Sequence, residues 1–246
     1  MKVKIRLLLA VFILQSLFML VDKSSFAKAG DVQINCDGKT FNVPYVVIDP
    51  LGRKLGYNPI LDQHYKEFPG GFGTVGINDI EGGDQRDVPD SYESFFTLMD
   101  GRYTIEVMGE GLTKFDLSIA ISGIEGINSF VLKGATDKGV TSIFKFTYSS
   151  DPSTPVVLTR VATPQSLRQD ITLSRKVGWI DNDGIMKSLL KKAEAAEESV
   201  NKGNTMAAEN ELKALVNEVE AQRGKHITED AAKILIEDAR YMIDNL

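Results

Sequence analysis

Two periodicities divide the chain. From Gly30 to about Ser150 the chain reads as β, in short runs separated by turn residues, several of them alternating apolar and polar with a period of two. Tyr45-Val46-Val47-Ile48 stops at Asp49-Pro50, and Ser94 to Met99 closes at the turn pair Asp100-Gly101. In the next run Tyr103, Ile105 and Val107 face one way, while Arg102, Thr104 and Glu106 face the other. Phe115, Leu117, Ile119 and Ile121 alternate in the same manner, and Gly109-Glu110-Gly111 reads as a hairpin turn between these two strands. Ser129 to Lys133, Ser142 to Tyr148 and a final piece, Val156 to Val161, complete the set. Period-two runs of this length with glycine-bearing turns predict an antiparallel β-sandwich over 30–160. Residues 51–90 are rich in glycine and have no clear period, which predicts a long loop inside that domain. Ser149 to Pro155 has linker composition and Pro164 interrupts the chain again, so 161–181 is predicted as a linker.

Beyond that point the period becomes 3.6. Met186, Leu189, Leu190, Ala193, Ala196 and Val200 form one apolar stripe, opened by the capping cluster Asp181-Asn182-Asp183 and closed by Gly203. Ala208, Leu212, Leu215, Val216 and Val219 form a second, capped by Asn204 or Thr205 and closed by Gly224. The third opens at Thr228, with Glu229 and Asp230 in its first turn, where acids favour the positive end of the helix dipole. Its face runs through Ala231, Leu235, Ala239, Met242 and Leu246. Short connections between stripes of this length predict a small antiparallel three-helix bundle over 182–246. The fold class is therefore α+β in two domains, a β-sandwich followed by a helical bundle.

The N-terminus follows a third pattern. Lys2, Lys4 and Arg6 precede a 15-residue apolar run, Leu7 to Val21, broken only by Gln15 and Ser16. A polar stretch and Ala27-Lys28-Ala29 follow. A basic head, an apolar middle and small residues at −3 and −1 form a secretory signal peptide, residues 1–29. The run is shorter than the roughly 20 residues that span hydrocarbon, so the expectation is cleavage after Ala29 and a secreted protein with no membrane span after cleavage.

Charge then narrows the partners. The whole chain carries a formal charge of −6, and removal of residues 1–29 leaves 23 basic and 33 acidic residues, or −10. A surface this acidic is poorly matched to nucleic acid, where neutralising phosphate is the main attraction. Cations, neutral polymers and neutral proteins remain, so an extracellular glycan or protein is an expected partner. Cys36 is the single cysteine, so no internal disulfide staples the fold. It reads as a buried apolar residue.

Two stretches resemble known families. Gly203 to Leu212, Leu215 to Ile227, and the tail from Ala231-Ala232 through Leu235, Ile236 and Ala239 to Ile243 resemble the FIMAH domain, a short helical unit at the C-termini of exported bacterial proteins. Leu215-Val216-Asn217 stands where that family typically has Phe-Ile-Asn, and the resemblance runs from about Asp183 to Leu246. The β half is similar in outline to pre-peptidase C-terminal domains, through Asp49 to Arg53, Gly56-Tyr57-Asn58-Pro59, Glu67 to Gly70, and Asp100 to Val107 with Gly109-Glu110-Gly111. Such modules accompany enzymes. The resemblance without an enzyme attached implies a freestanding accessory or binding protein, and neither family carries over a catalytic residue.

Candidate chemistry is sparse. Asn78 to Asp87 is acidic and glycine-rich, and Asp79, Glu81, Asp84 and Asp87 are the oxygen donors it offers to calcium; the other reading is a solvated loop. Trp179, the sole tryptophan, is a candidate for stacking on a sugar or for packing between the two halves. Tyr57 and Tyr65, with Phe68 and Phe72, are placed to line a glycan or protein surface or to anchor the long loop. His64 lies near Asp62, but no nucleophile elbow or zinc helix is present. The expected function is non-catalytic binding at the cell surface or in the medium. Its rivals are a small secreted hydrolase using the His64 region and a structural spacer.

Overall fold

A computed structural model of the chain describes residues 30–38, 43–75, 92–123, 126–151 and 153–246. The predicted signal peptide and the acidic segment 78–87 lie outside these residues.

Period-two alternation builds two antiparallel sheets. The first has the order β5-β6-β1-β8-β9, formed by Phe72–Val75, Tyr92–Thr97, Asp31–Gly38, Thr113–Gly123 and Gly126–Thr136. The second has the order β11-β10-β7-β2-β3-β4, formed by Val157–Val161, Thr141–Tyr148, Gly101–Met108, Tyr45–Ile48, Lys54–Asn58 and Gln63–Lys66. The apolar members of each alternation meet between the sheets. Ile34, Leu117, Ile119 and Phe115 come from the first, and Tyr45, Ile105, Val107, Phe144 and Phe146 from the second. Each such side chain withdrawn from water contributes roughly 1.5–3 kcal/mol. Aromatic stacking orders the centre: Tyr103 lies parallel to Phe146 at 4.9 Å between centroids. Tyr45 donates its hydroxyl across the core to the Ile34 carbonyl at 2.8 Å, so the one polar atom it buries is satisfied.

Three expectations are corrected here. The stretch 51–90 is not one loop: it holds β3, β4 and β5. Gly109-Glu110-Gly111 is not a hairpin turn, because β7 and β8 belong to different sheets and the connection carries the chain from one sheet to the other. The predicted linker 161–181 contains a helix, α1, Pro164–Lys176. Its start is well capped: Thr163 and Ser166 form a reciprocal capping box, and Pro164 occupies the first turn, where a missing N–H costs nothing.

The helical part therefore has four helices, α1 and then α2 (Asp183–Asn201), α3 (Thr205–Gln222) and α4 (Glu229–Asp244). Asn182, Asn204 and Thr228 cap the last three with their side-chain oxygens. Leu167 and Ile171 of α1, Leu189 and Ala193 of α2, Leu212 and Leu215 of α3, and Leu235 and Ala239 of α4 share one core. Ala135 of β9 and Ala162, just after β11, belong to that same cluster, so the helices are packed onto the sandwich.

Candidate functional site

The β3–β4 hairpin gathers the aromatic candidates, and its register decides which of them act together. Tyr57 pairs with His64 across the strands, and their rings stack at 4.4 Å between centroids. Tyr65 pairs instead with Gly56. Opposed residues share a face and neighbours alternate, so Tyr57 and Tyr65 point to opposite sides of the sheet. Tyr65 packs against Val46, Ile48 and Met108 and is only 8% exposed, with the Lys54 ammonium 5.0 Å from its ring centre. It anchors the hairpin and does not share a platform with Tyr57.

Tyr57 is half-buried at the rim of the sandwich core, while His64 beside it is exposed. Its hydroxyl donates to Asp62 Oδ1 at 2.9 Å. Burial, the Asp62 hydrogen bond and the negative charges of Asp62 and Glu110 push the phenol up to about 12, so it stays a neutral donor. The turn is built locally. Asn58 Oδ1 accepts from the backbone N–H groups of Ile60 and Leu61, and Asp62 takes a positive φ of 49°. That turn thrusts Ile60 and Leu61 into solvent, 61% and 63% exposed. Gly56 makes the hairpin possible: it sits at φ 124°, and a Cβ there would lie 2.2 Å from the Tyr45 carbonyl oxygen. The rim thus presents a flat ring pair, a carboxylate and an apolar tip, while Gln63 lies on the opposite face and accepts from the Tyr65 hydroxyl at 3.0 Å.

Trp179 lies elsewhere, after α1, and is 6% exposed. Its face is covered, with Lys114 Nζ of β8 5.2 Å from the ring centre, so it does not offer a stacking surface. It packs into the helical core and against Lys114 of the sandwich. Beside it is a pocket of about 230 Å³ lined by Asp181, Lys225, His226 and Thr228. His226 Nδ1 lies 2.7 Å from Asp181 Oδ1. Proximity in sequence places His64 near Asp62, whereas Asp62 accepts from Tyr57 and the histidine–aspartate contact, His226 with Asp181, forms between two helix connections.

Asp79, Glu81, Asp84 and Asp87, the candidate calcium ligands, lie outside the described residues. Among the described residues no group of three or more His, Cys, Asp or Glu side chains is placed to hold a metal ion. Among the same residues no helix is long and apolar enough to cross a membrane.

A cluster that sequence reasoning missed sits where helices and sandwich meet. Arg160 of β11 donates through Nη2 to both carboxylate oxygens of Asp170 in α1, at 2.8 and 2.7 Å. Its Nε lies 3.1 Å from Asp238 Oδ1 of α4. All three residues are buried, and the guanidinium also lies 5.3 Å from the Phe144 ring centre. One signal lies in the sequence: Asp238 interrupts the otherwise apolar buried face of α4.

Residues 164–244 match the FIMAH domain. The match starts at the first residue of α1 and ends at the last of α4, so it takes in the helix that the resemblance, begun at Asp183, had left out. FIMAH domains are non-catalytic and occur in surface-associated bacterial proteins. The resemblance of the β half to pre-peptidase C-terminal domains is not supported by a match. No curated protein and no solved structure matches the chain.

Proposed function

We propose that this is an exported, non-catalytic binding protein that acts at the cell surface or in the surrounding medium and uses the rim of its sandwich to engage an extracellular glycan or protein. The observation that carries this reading is the FIMAH match over the whole helical unit. The hairpin supplies the second support. Tyr57 stacked on His64, with Asp62 accepting from the Tyr57 hydroxyl, offers an aromatic face and a polar edge together, the combination that binds polyhydroxylated or peptide surfaces. Ile60 and Leu61 extend the contact with apolar area.

The test is titration of the protein with a panel of extracellular polysaccharides and surface proteins by calorimetry. Saturable binding that weakens about tenfold in Tyr57→Ala, roughly 1.4 kcal/mol, supports the rim as the site. Turnover of any polymer that is lost in His64→Ala overturns the reading in favour of a hydrolase. Binding that is unchanged in both Tyr57→Ala and Leu61→Ser moves the site away from the hairpin.

A further inference from the structure

The seam between helices and sandwich buries two carboxyls and one guanidinium. Asp238 is fully buried, and Asp170 and Arg160 are nearly so. Arg160 commits Nη2 to Asp170, while both oxygens of Asp238 lack a hydrogen-bond donor despite the nearby Nε. A single cation cannot compensate two buried anions. A buried carboxyl without full compensation sheds its charge by taking up a proton. The three residues belong to three elements, β11, α1 and α4, so the cluster holds only while the helices are docked.

We propose that Arg160, Asp170 and Asp238 form a pH-dependent latch that grips the helical unit against the sandwich in acidic surroundings and slackens as the pH rises.

Burial pushes the Asp238 carboxyl well above the ordinary range. Arg160 opposes this, and Asp170 and Glu237 add to it. Burial disfavours the Arg160 charge, but Asp170 and Asp238 outweigh burial and hold the guanidinium charged. The remaining charges nearby are Lys133 of β9, paired with Asp230 at 3.1 Å, and Lys233 of α4, which line a cavity of about 170 Å³ against Arg160 and Phe144. Asp137 bonds Lys176 of α1 at 2.8 Å across the same seam. The Lys176 hydrogen bond holds the Asp137 carboxyl below its usual range, and the Asp230 hydrogen bond holds the Lys133 ammonium above its own. The sign is fixed by which state binds the proton. Asp238 holds it when docked and has the ordinary carboxyl value, about 3.9, when released. Docking is therefore strongest below that value and is lost as pH climbs through the raised one.

Trp179 reports the latch, since it is the sole tryptophan, is buried and touches Lys114 of the sandwich. Acrylamide quenching of its fluorescence and far-ultraviolet circular dichroism are followed from about pH 4 to about pH 9. Quenching is expected to rise with pH at constant helicity, the undocking constant growing by up to about tenfold per pH unit. Asp238→Asn, which mimics the protonated carboxyl, is expected to stay at the low-pH quenching value throughout. Asp170→Asn leaves one anion for one cation and is expected to flatten the profile as well, which keeps the test open if the first variant fails to fold. His226 lines the pocket beside Trp179, so the titration is repeated in His226→Gln, where the rise should persist. A wild-type profile without a rise, the same rise in both asparagine variants, a rise that vanishes with His226, or a rise accompanied by loss of helicity would each overturn the latch.

Discussion

Replacement of Arg160 by methionine tests the physics of the seam directly. Methionine keeps the unbranched apolar stem but removes the guanidinium. Asp170 then loses both of its Nη2 bonds, at 2.8 and 2.7 Å, while remaining buried, and Asp238 loses the guanidinium 3.1 Å from its Oδ1. Breaking a buried ion pair from one side costs about 3–5 kcal/mol, because the surviving charge has neither water nor partner. The contact of the guanidinium with Phe144 is worth a further ~0.5–2 kcal/mol. A loss of about 4 kcal/mol should lower Tm by about 8–16 °C in a chain of this size. The triple variant Arg160→Met, Asp170→Leu, Asp238→Leu removes the whole polar cluster and should recover most of the loss, since a packed apolar substitute for a buried ion cluster is often neutral or stabilising. The assay is urea unfolding followed by Trp179 fluorescence and circular dichroism. A triple variant as unstable as the single one would refute the electrostatic argument and assign the cost to shape; so would a single variant that loses less than about 1 kcal/mol.

Other positions give sharper local contrasts. Tyr65→Ala should destabilise by about 3–5 kcal/mol in urea unfolding, because its ring fills a buried cluster, whereas Tyr57→Ala should cost less while weakening ligand binding more. Gly56→Ala forces a side chain into a positive-φ position 2.2 Å from the Tyr45 carbonyl oxygen; it should unpair β3 from β2, cost roughly 1–3 kcal/mol, and expose the hairpin amides to hydrogen exchange. Cys36 is fully buried, and burial first, then Asp37 and Asp116, raises its thiol well above the usual range; it should resist a thiol reagent at neutral pH in the native protein and react at once in denaturant.

Legibility followed range. Tyr103, Ile105 and Val107, or Phe115, Leu117 and Ile119, declared their buried face through alternation, and the sandwich interior is made of them. The caps Asn182, Asn204 and Thr228 were readable because capping is a contact between residues two or three apart. Helix α1 was not, since Pro164 reads as a breaker until its place in the first turn is known. Nor was β1, although Val32, Ile34 and Cys36 alternate with Asp31, Gln33 and Asn35. The Gly109 to Gly111 connection is beyond local reading altogether, because the same turn composition serves a hairpin and a crossing between sheets.

The candidate site divides along the same line. Composition named Tyr57, Tyr65 and Trp179 as aromatics of interest, but only register could put Tyr57 on His64 and turn Tyr65 away, and only packing could bury Trp179. The Arg160 cluster joins residues from one strand and two helices that no spacing rule connects. By itself the sequence determined the apolar faces of the period-two strands and where three of the four helices begin, since both follow from periodicities and contacts within a turn or a strand. The tertiary structure alone decided which strands are neighbours, which aromatic faces stay open and which carboxyls must share one guanidinium. Those outcomes depend on long-range pairing and on the dielectric of an interior that exists only once the chain has closed around it.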